Sequence, residues 1–256
     1  MIVLDDAGSD PFGVLDRVTS ILEAFDQDDH GLGISELAVR ADLPKSTVSR
    51  LVATLVRERY LERDGRRIHL GLRLFELGQL AERPRALRTA ASPVMADLRN
   101  RTGHSVHLAI RDGHEMVCIA GMRGRFAAPI AIRIGTRVPL HATALGKIEL
   151  AHATAADLDA VIAAALTPWT PHTIVDPVQL RRELARVRRA GFAVEAREFS
   201  ATSSAVASPV FTASGTLVAA LAVSGDAEVF DPRATAASVH ETALALTRRM
   251  VLDAER

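Results

Sequence analysis

The sequence contains one cysteine, Cys118, so no internal disulfide can form. The paired Cys and His spacing of a structural zinc site is also missing, and neither a metal nor a cofactor is expected. No apolar run approaches the roughly 18 uninterrupted residues that a membrane-spanning helix needs. The opening MIVLDDAGSD lacks the basic flank and apolar stretch of a signal peptide. A cytoplasmic chain with no membrane partner is therefore expected. Lys plus Arg and Asp plus Glu both number 31, so no overall basic excess advertises a nucleic acid. A nucleophile elbow, a phosphate loop and a dinucleotide fingerprint are all absent, and no catalytic residue can be named. Ser203 and Ser204, close in sequence to Glu195, are the nearest approach to a catalytic group, and a pocket loop explains them as well.

What is present begins with length. At 256 residues and 48% hydrophobic, the chain can build two cores, and two domains of unequal size are the natural expectation. Charge is unevenly distributed. Between Ile34 and Arg73 there are nine basic residues against five acidic ones, a local net charge of +4 that can face phosphates. The preceding segment carries Asp5, Asp6, Asp10, Asp16, Asp26, Asp28 and Asp29, so any nucleic-acid surface has to be local.

Val14, Val18, Ile21, Leu22 and Phe25 recur at helical spacing and predict a first helix over about Pro11 to Phe25. Ser35 reads as the N-cap of a short helix carrying Leu37, Ala38 and Ala41, which ends at Asp42-Leu43-Pro44. In the next helix, about Lys45 to Arg59, Val48, Leu51, Val52, Leu55 and Val56 form one apolar stripe. The opposite face is Ser46, Ser49, Arg50, Ala53 and Arg57, where small side chains alternate with long cations. Such a face can lie close in a major groove, and it can equally be the solvated side of a bundle helix. Asp64-Gly65 between two short, partly alternating runs then predicts a tight hairpin that presents Arg66 and Arg67. A hairpin directly behind the third helix of a short trio is a wing, and its charges are placed to meet phosphates. The candidate DNA-contacting residues are Ser35, Lys45, Ser46, Thr47, Ser49, Arg50, Arg57, Arg66 and Arg67.

After the wing, Leu72, Leu74, Phe75, Leu77 and Leu80 predict a helical stretch interrupted at Pro84, with a new helix over Ser92 to Thr102. Beyond Gly103 the period changes to two. Strands are expected around Val106 to Ile110, Met116 to Ala120, Ile130 to Ile134, Phe192 to Glu195, Pro209 to Thr212 and Leu217 to Ser224. Helices are expected from near Ala144, from Asp176-Pro177 to Gly191, and over Pro232 to Ala254. Hairpin strands flanked by helices argue for an α+β fold with an antiparallel sheet. The expected organisation is a winged helix-turn-helix over residues 1–72, a linker helix region over 73–91 and a larger domain over 92–256.

The run ISELAVRADLPKSTVSRLVATLVRERYLERDGRRIHLGLRLFELG resembles the N-terminal domain of the IclR family of bacterial regulators, and LPKSTVSRL is its most specific part. The resemblance extends through RVPLHATALGK and GFAVEAREFSATSSAVASPVFTASGTLVAALAVSG, so it spans nearly the whole chain. It implies a GAF-like or profilin-like C-terminal domain, a linker helix that helps pair subunits, and a homodimer or homotetramer. It also implies a double-stranded DNA operator of near-palindromic sequence and a small-molecule effector, with repression of a catabolic operon as the outcome. The implied effector wall is Ala144, Leu145, Gly146, Glu195, Ala205, Ala222 and Ser224. Ala144 stands where the family often has Gly, Ala205 where Cys is common and Ala222 where Ser occurs. Fewer donors imply an apolar or aromatic effector bearing an acid or amide. Competing readings are a metabolite-processing enzyme whose helix-turn-helix makes protein contacts, and a binding module without DNA affinity. Cys118 reads as structural, His107 and His141 as hydrogen-bonded core or rim histidines or else as ligand contacts, and Trp169 as a pocket lid or core cover.

Overall fold

The computed structural model describes residues 13–26, 28–128 and 132–254, which fall into two compact units that divide between Glu82 and Arg83. The start of the expected first helix, Pro11, lies outside the described residues.

The smaller unit contains α1 (Val14–Glu23), α2 (Ile34–Arg40), α3 (Lys45–Arg57), a hairpin of β1 (Leu61–Asp64) and β2 (Arg67–Leu70), and α4 (Leu72–Gly78). Its core is Ile21, Leu32, Leu37, Val48, Val52, Leu55, Leu61 and Ile68, which is the apolar stripe of α3 met by α1, α2 and the hairpin. Asp64 pairs with Arg67, so the loop is Gly65-Arg66, with Gly65 at φ +55 in the left-handed region that a Gly-first hairpin turn requires. Gly33 and not Ser35 precedes α2, and no side chain caps that end; Ser35 is the second helical residue and is exposed. The cap expectation fails because the chain leaves the Leu32 bridge to Ile68 already extended at Gly33, so the helix starts earlier. Every apolar residue of α4 escapes full burial, and Leu72, Phe75 and Leu77 are exposed.

In the larger unit, α5 (Glu82–Thr102) is one continuous helix, where an interruption at Pro84 and a fresh start at Ser92 were expected. Pro84 sits in the first turn, where its missing N–H has no helical acceptor to lose. Pro93 is exposed, and Leu87, Ala90, Ala91, Met95 and Leu98 bury the other flank of α5, holding it together through the lost backbone bond. The sheet comprises β3 (Ser105–Asp112), β4 (Glu115–Met122), β5 (Arg137–Pro139), β6 (Ala193–Ala196), β7 (Ser203–Phe211) and β8 (Leu217–Asp226). All pairings are antiparallel, in the order β5-β4-β3-β8-β7-β6. Helices α6 (Ala144–His152), α7 (Ala155–Ala163), α8 (Pro177–Ala190) and α9 (Pro232–Ala254) complete the unit.

Strand alternation divides the core. Val106, Leu108, Val206, Val210, Leu221 and Val223 pack with α5 and α9. Ala109, Ala207, Ala220 and Ala222 face α6 and α8. The result is the α+β sandwich expected, a sheet with helices on both faces. Three local expectations are corrected. Ile132 and Ile134 lie in a loop and Ile130 lies outside the described residues, while Arg137–Pro139 supplies the edge strand beside β4. The strand expected at Pro209 begins six residues earlier, at Ser203, because its small residues Ala205 and Ala207 face the helix layer and give no bulky alternation to read. Helix α7, capped by Thr154, whose hydroxyl accepts from Asp157 N, was not anticipated. The α8 signals hold: Asp176 Oδ1 accepts from Gln179 N at 2.7 Å, and Gly191 ends the helix at φ +75.

Candidate functional site

In the smaller unit, Ser46, Ser49, Arg50, Ala53 and Arg57 are all exposed on α3, Lys45 is exposed at its first residue, and Thr47 is half-buried. The nine cations of the basic window divide by what they touch. Arg40 pairs with Asp29 and Glu36, Arg57 with Glu58, and Arg59 with Glu76. Arg73 donates to Glu58 O and lies over the Tyr60 ring at 5.1 Å. Arg67 is not at the hairpin tip: it opens β2, and its guanidinium donates to Gly31 O at 2.7 Å, tying the wing to the preceding loop. The side chains of Lys45, Arg50, Arg63 and Arg66 make no hydrogen bond or ion pair among the described residues. Uncommitted cations thus stand at the start and middle of the exposed α3 face and at the hairpin turn, the arrangement that meets phosphates and base edges at small desolvation cost.

In the larger unit, one enclosed cavity is lined by His107, Ile132, Thr143, Ala144, Leu145, Glu195, Phe199, Ser200, Ser203, Ala205, Ala222 and Ser224. Six of the seven residues carried over as effector wall are brought together there. Gly146 is not: its amide donates to Thr143 Oγ1 at 3.0 Å and its Cα backs onto Leu140. The space open to the centre of a water-sized group is about 30 Å3. The roof is the start of α6. Thr143 O accepts from Lys147 N and Thr143 Oγ1 from Gly146 N, which leaves the amides of Ala144 and Leu145 as the free donors of the helix end.

The floor is set by register. Ser224 pairs with Ala205 and Ala205 with Glu195, one cross-strand row over β8, β7 and β6. His107, which pairs with Ala222 two positions along β3 from that row, joins Ser224 Oγ through Nε2 at 3.0 Å, and its Nδ1 is buried without a protein partner among the described residues. Burial pulls the His107 ring down from 6.5 to about 4, so it is neutral. Glu195 Oε1 accepts from Glu198 N at 2.6 Å and from Phe199 N at 3.3 Å. Burial pushes its carboxyl up from 4.5 to about 7, opposed by those two amides. Behind the cavity, the fully buried Lys147 donates from Nζ to Glu198 Oε1 at 2.5 Å and to Val194 O at 3.2 Å. Trp169, half exposed, packs at 5.1 Å from Phe199, a cavity residue.

A model of the IclR helix-turn-helix domain matches residues 14–65, and a model of the bacterial transcriptional regulator IclR C-terminal domain matches residues 81–249. The chain belongs to the IclR family. It is therefore a transcription regulator with a DNA-binding helix-turn-helix and an effector-binding C-terminal domain. Among curated IclR-type relatives, the HTH-type transcriptional regulator XynR of Escherichia coli is 32% identical over 92% of this chain and 96% of its own. The HTH-type transcriptional repressor AllR of Klebsiella pneumoniae is 31% identical over 85% of this chain and 81% of its own. Among solved structures, an IclR homolog from Microbacterium hydrocarbonoxydans complexed with 4-hydroxybenzoate is 30% identical, with a TM-score of 0.85 over 92% of this chain and 98% of that one. The Thermotoga maritima IclR is 29% identical, with a TM-score of 0.77 over 92% and 98%.

The expected wall did not name Thr143, Phe199 and Ser200, although the turn before α6 and the loop after the Glu195 strand are implied by the resemblance to line the pocket; Ile132 was missed, and neither Lys147 nor Glu198 was singled out. The Thr143 signal was legible, since a Thr before Ala-Leu-Gly reads as a cap; the others depend on how turns fold back. Ser203 lines the cavity while Ser204, on the alternate side of β7, does not.

The two shifted groups oppose each other in stability. The folded chain keeps His107 neutral where the unfolded chain protonates it, so this contribution is lost as pH falls from about 6.5 toward 4. Glu195 holds a proton that the unfolded chain has released, so its contribution is lost as pH rises from 4.5 to about 7. Between 4.5 and 6.5 the two largely cancel in the wild type. Glu195→Gln removes one arm, and the variant should gain on the order of 2 kcal/mol over wild type between pH 4.5 and 7.5. Urea denaturation at several pH values checks this; parallel profiles for the two proteins would sink it.

Proposed function

We propose that this IclR-family regulator is a cytoplasmic repressor that lays α3 in the major groove of a near-palindromic operator and is released or retained by an aromatic or otherwise apolar carboxylic acid bound in the C-terminal cavity. The observation that carries the DNA reading is the exposed face of α3, with uncommitted Lys45 and Arg50, beside a hairpin turn carrying uncommitted Arg66. Arg50 and Arg57 read base edges or adjacent phosphates, Ser46, Ser49 and Thr47 permit close approach, and Lys45 and Arg66 hold the backbone. Ser35 on α2 is exposed and supplies a further phosphate contact. Arg67 serves the fold of the wing. Two copies bind one operator, with recognition helices about one turn of B-DNA, roughly 34 Å, or a multiple of it apart. The exposed Leu72, Phe75, Leu77 and Leu80 support pairing of copies as a dimer or a tetramer. Repression accords with the name of the relative AllR.

For the effector, the free amides of Ala144 and Leu145 favour a carboxylate, and Ala144, Ala205 and Ala222 make the wall apolar. The Microbacterium relative with 4-hydroxybenzoate supports this class. A ring enters as Phe199 and Ile132 swing aside, and its preference for one arrangement drives the switch without chemistry. No turnover of the bound acid is expected.

The test is a shift assay on the DNA upstream of the protein's own gene against random duplex at fixed salt. Arg50→Ala should weaken operator binding by about tenfold to a hundredfold, corresponding to roughly 1 to 3 kcal/mol, and random binding far less. Arg66→Ala should weaken both alike and lower the salt slope by about one. Equal losses for Arg50→Ala remove it from base readout. Tight glyoxylate binding with no response to aromatic acids would refute the effector class.

A further inference from the structure

Granting the reading of the cavity as a carboxylate site, its acid residue poses a problem of charge. A carboxylate brought to the Ala144 and Leu145 amides enters the same small enclosure as Glu195, which is 3% exposed. Glu195 Oε1 is committed to two backbone amides, and Oε2 has no protein partner among the described residues. Two carboxylates enclosed with so little water repel strongly unless one is neutral.

Among the described residues, the surrounding groups offer no second cation. Lys147 on α6 is held by Glu198 Oε1 and Val194 O. Glu198, in the turn after β6, adds a further negative charge near Glu195. Arg197 directs its guanidinium to Glu228 and to the carbonyls of Ala201 and Ala227. His107 on β3 is joined to Ser224, and β7 and β8 present only Ser203, Ala205, Ala222 and Ser224.

We propose that the cavity takes up its carboxylate effector together with one proton, which rests on Oε2 of Glu195 and is donated to the effector's carboxylate. Above neutrality the proton comes from solvent, where Glu195 is ionised before binding, and returns there on dissociation; no covalent bond of the effector changes. The acid–carboxylate contact is a charge-assisted O–H···O hydrogen bond. The proton is cheap to supply, since burial already brings the free carboxyl to about 7. Glu195 thus selects a monoanion, and a neutral amide of the same shape binds without any proton.

The experiment is calorimetry on the full chain with glyoxylate, pyruvate, benzoate and 4-hydroxybenzoate at pH 6 and pH 8, in two buffers of different ionisation heat. A binding acid should be about tenfold weaker at pH 8, with uptake of close to one proton. Glu195→Gln, whose amide donates permanently, should bind with equal affinity at both pH values. Glu195→Asp should keep the pH slope. Equal wild-type affinity at both pH values without proton uptake overturns the proposal, as does a wild-type slope in Glu195→Gln. If Glu195→Gln does not fold, the wild-type uptake decides alone. Binding by none of the four acids at either pH overturns the carboxylate reading itself, and the proposal with it.

Discussion

Lys147→Met is expected to destabilise the larger unit by about 3 to 5 kcal/mol, the cost of leaving a buried charge without its partner. Lys147 is fully buried and Glu198 nearly so, and their 2.5 Å ion pair joins the first turn of α6 to the turn that follows β6. Glu198 Oε2 has no protein partner among the described residues, so removal of the ammonium strands the whole carboxylate. The double variant Lys147→Met, Glu198→Gln removes both charges and should recover most of the loss, because a desolvated pair contributes little net stability. Chemical denaturation of the two variants measures this. A single-variant loss below about 1 kcal/mol would mean that water reaches the pair. Lys147 also lowers the proton affinity of Glu195, so its loss should push that carboxyl further up.

Gly146→Ala should cost about 3 kcal/mol or more and abolish effector binding. At an ordinary helical position this substitution stabilises by up to about 1 kcal/mol, so the sign itself is diagnostic. Here the added Cβ meets Leu140 Cα and O, both at 2.3 Å, and these are backbone atoms that cannot rotate away. Relief requires α6 to move off the Leu140 segment, which drags the Ala144 and Leu145 amides out of the cavity roof. Gly78→Ala is the control: nothing lies within 4 Å of its Cβ site at the end of α4, and it should be neutral or slightly stabilising. Thermal melts and effector calorimetry on both variants decide. A Gly146→Ala protein as stable as wild type would show that the helix start is not pinned by this contact.

The helices of the smaller unit were legible because each carries its own period, and a stripe such as Val48, Val52 and Leu55 needs no partner to be recognised. The hairpin was legible from Asp64-Gly65, and α8 from Asp176, Pro177 and Gly191, since turns and caps are made by neighbours in sequence. Where packing overrode local rules, the reading failed. The expected helix start at Ser92, just before Pro93, fails because the burial of Met95 and Leu98 on the sheet, which carries α5 through Pro93, is not written beside it. Arg67 was assigned to the hairpin tip because its bond to Gly31, 36 positions away, leaves no local mark.

The cavity divides in the same way. Short-range pattern alone established where the helix with free amides begins and which face of α3 stays outside, whereas the wall residues followed only from the resemblance to the family. Strand order and register determined that Ser224, Ala205 and Glu195 share one row, that His107 reaches Ser224, and that Lys147 meets Glu198 across 51 positions. Those contacts arise from hydrogen-bonded pairing between segments far apart in the chain, and the energies that select one pairing belong to the whole sheet.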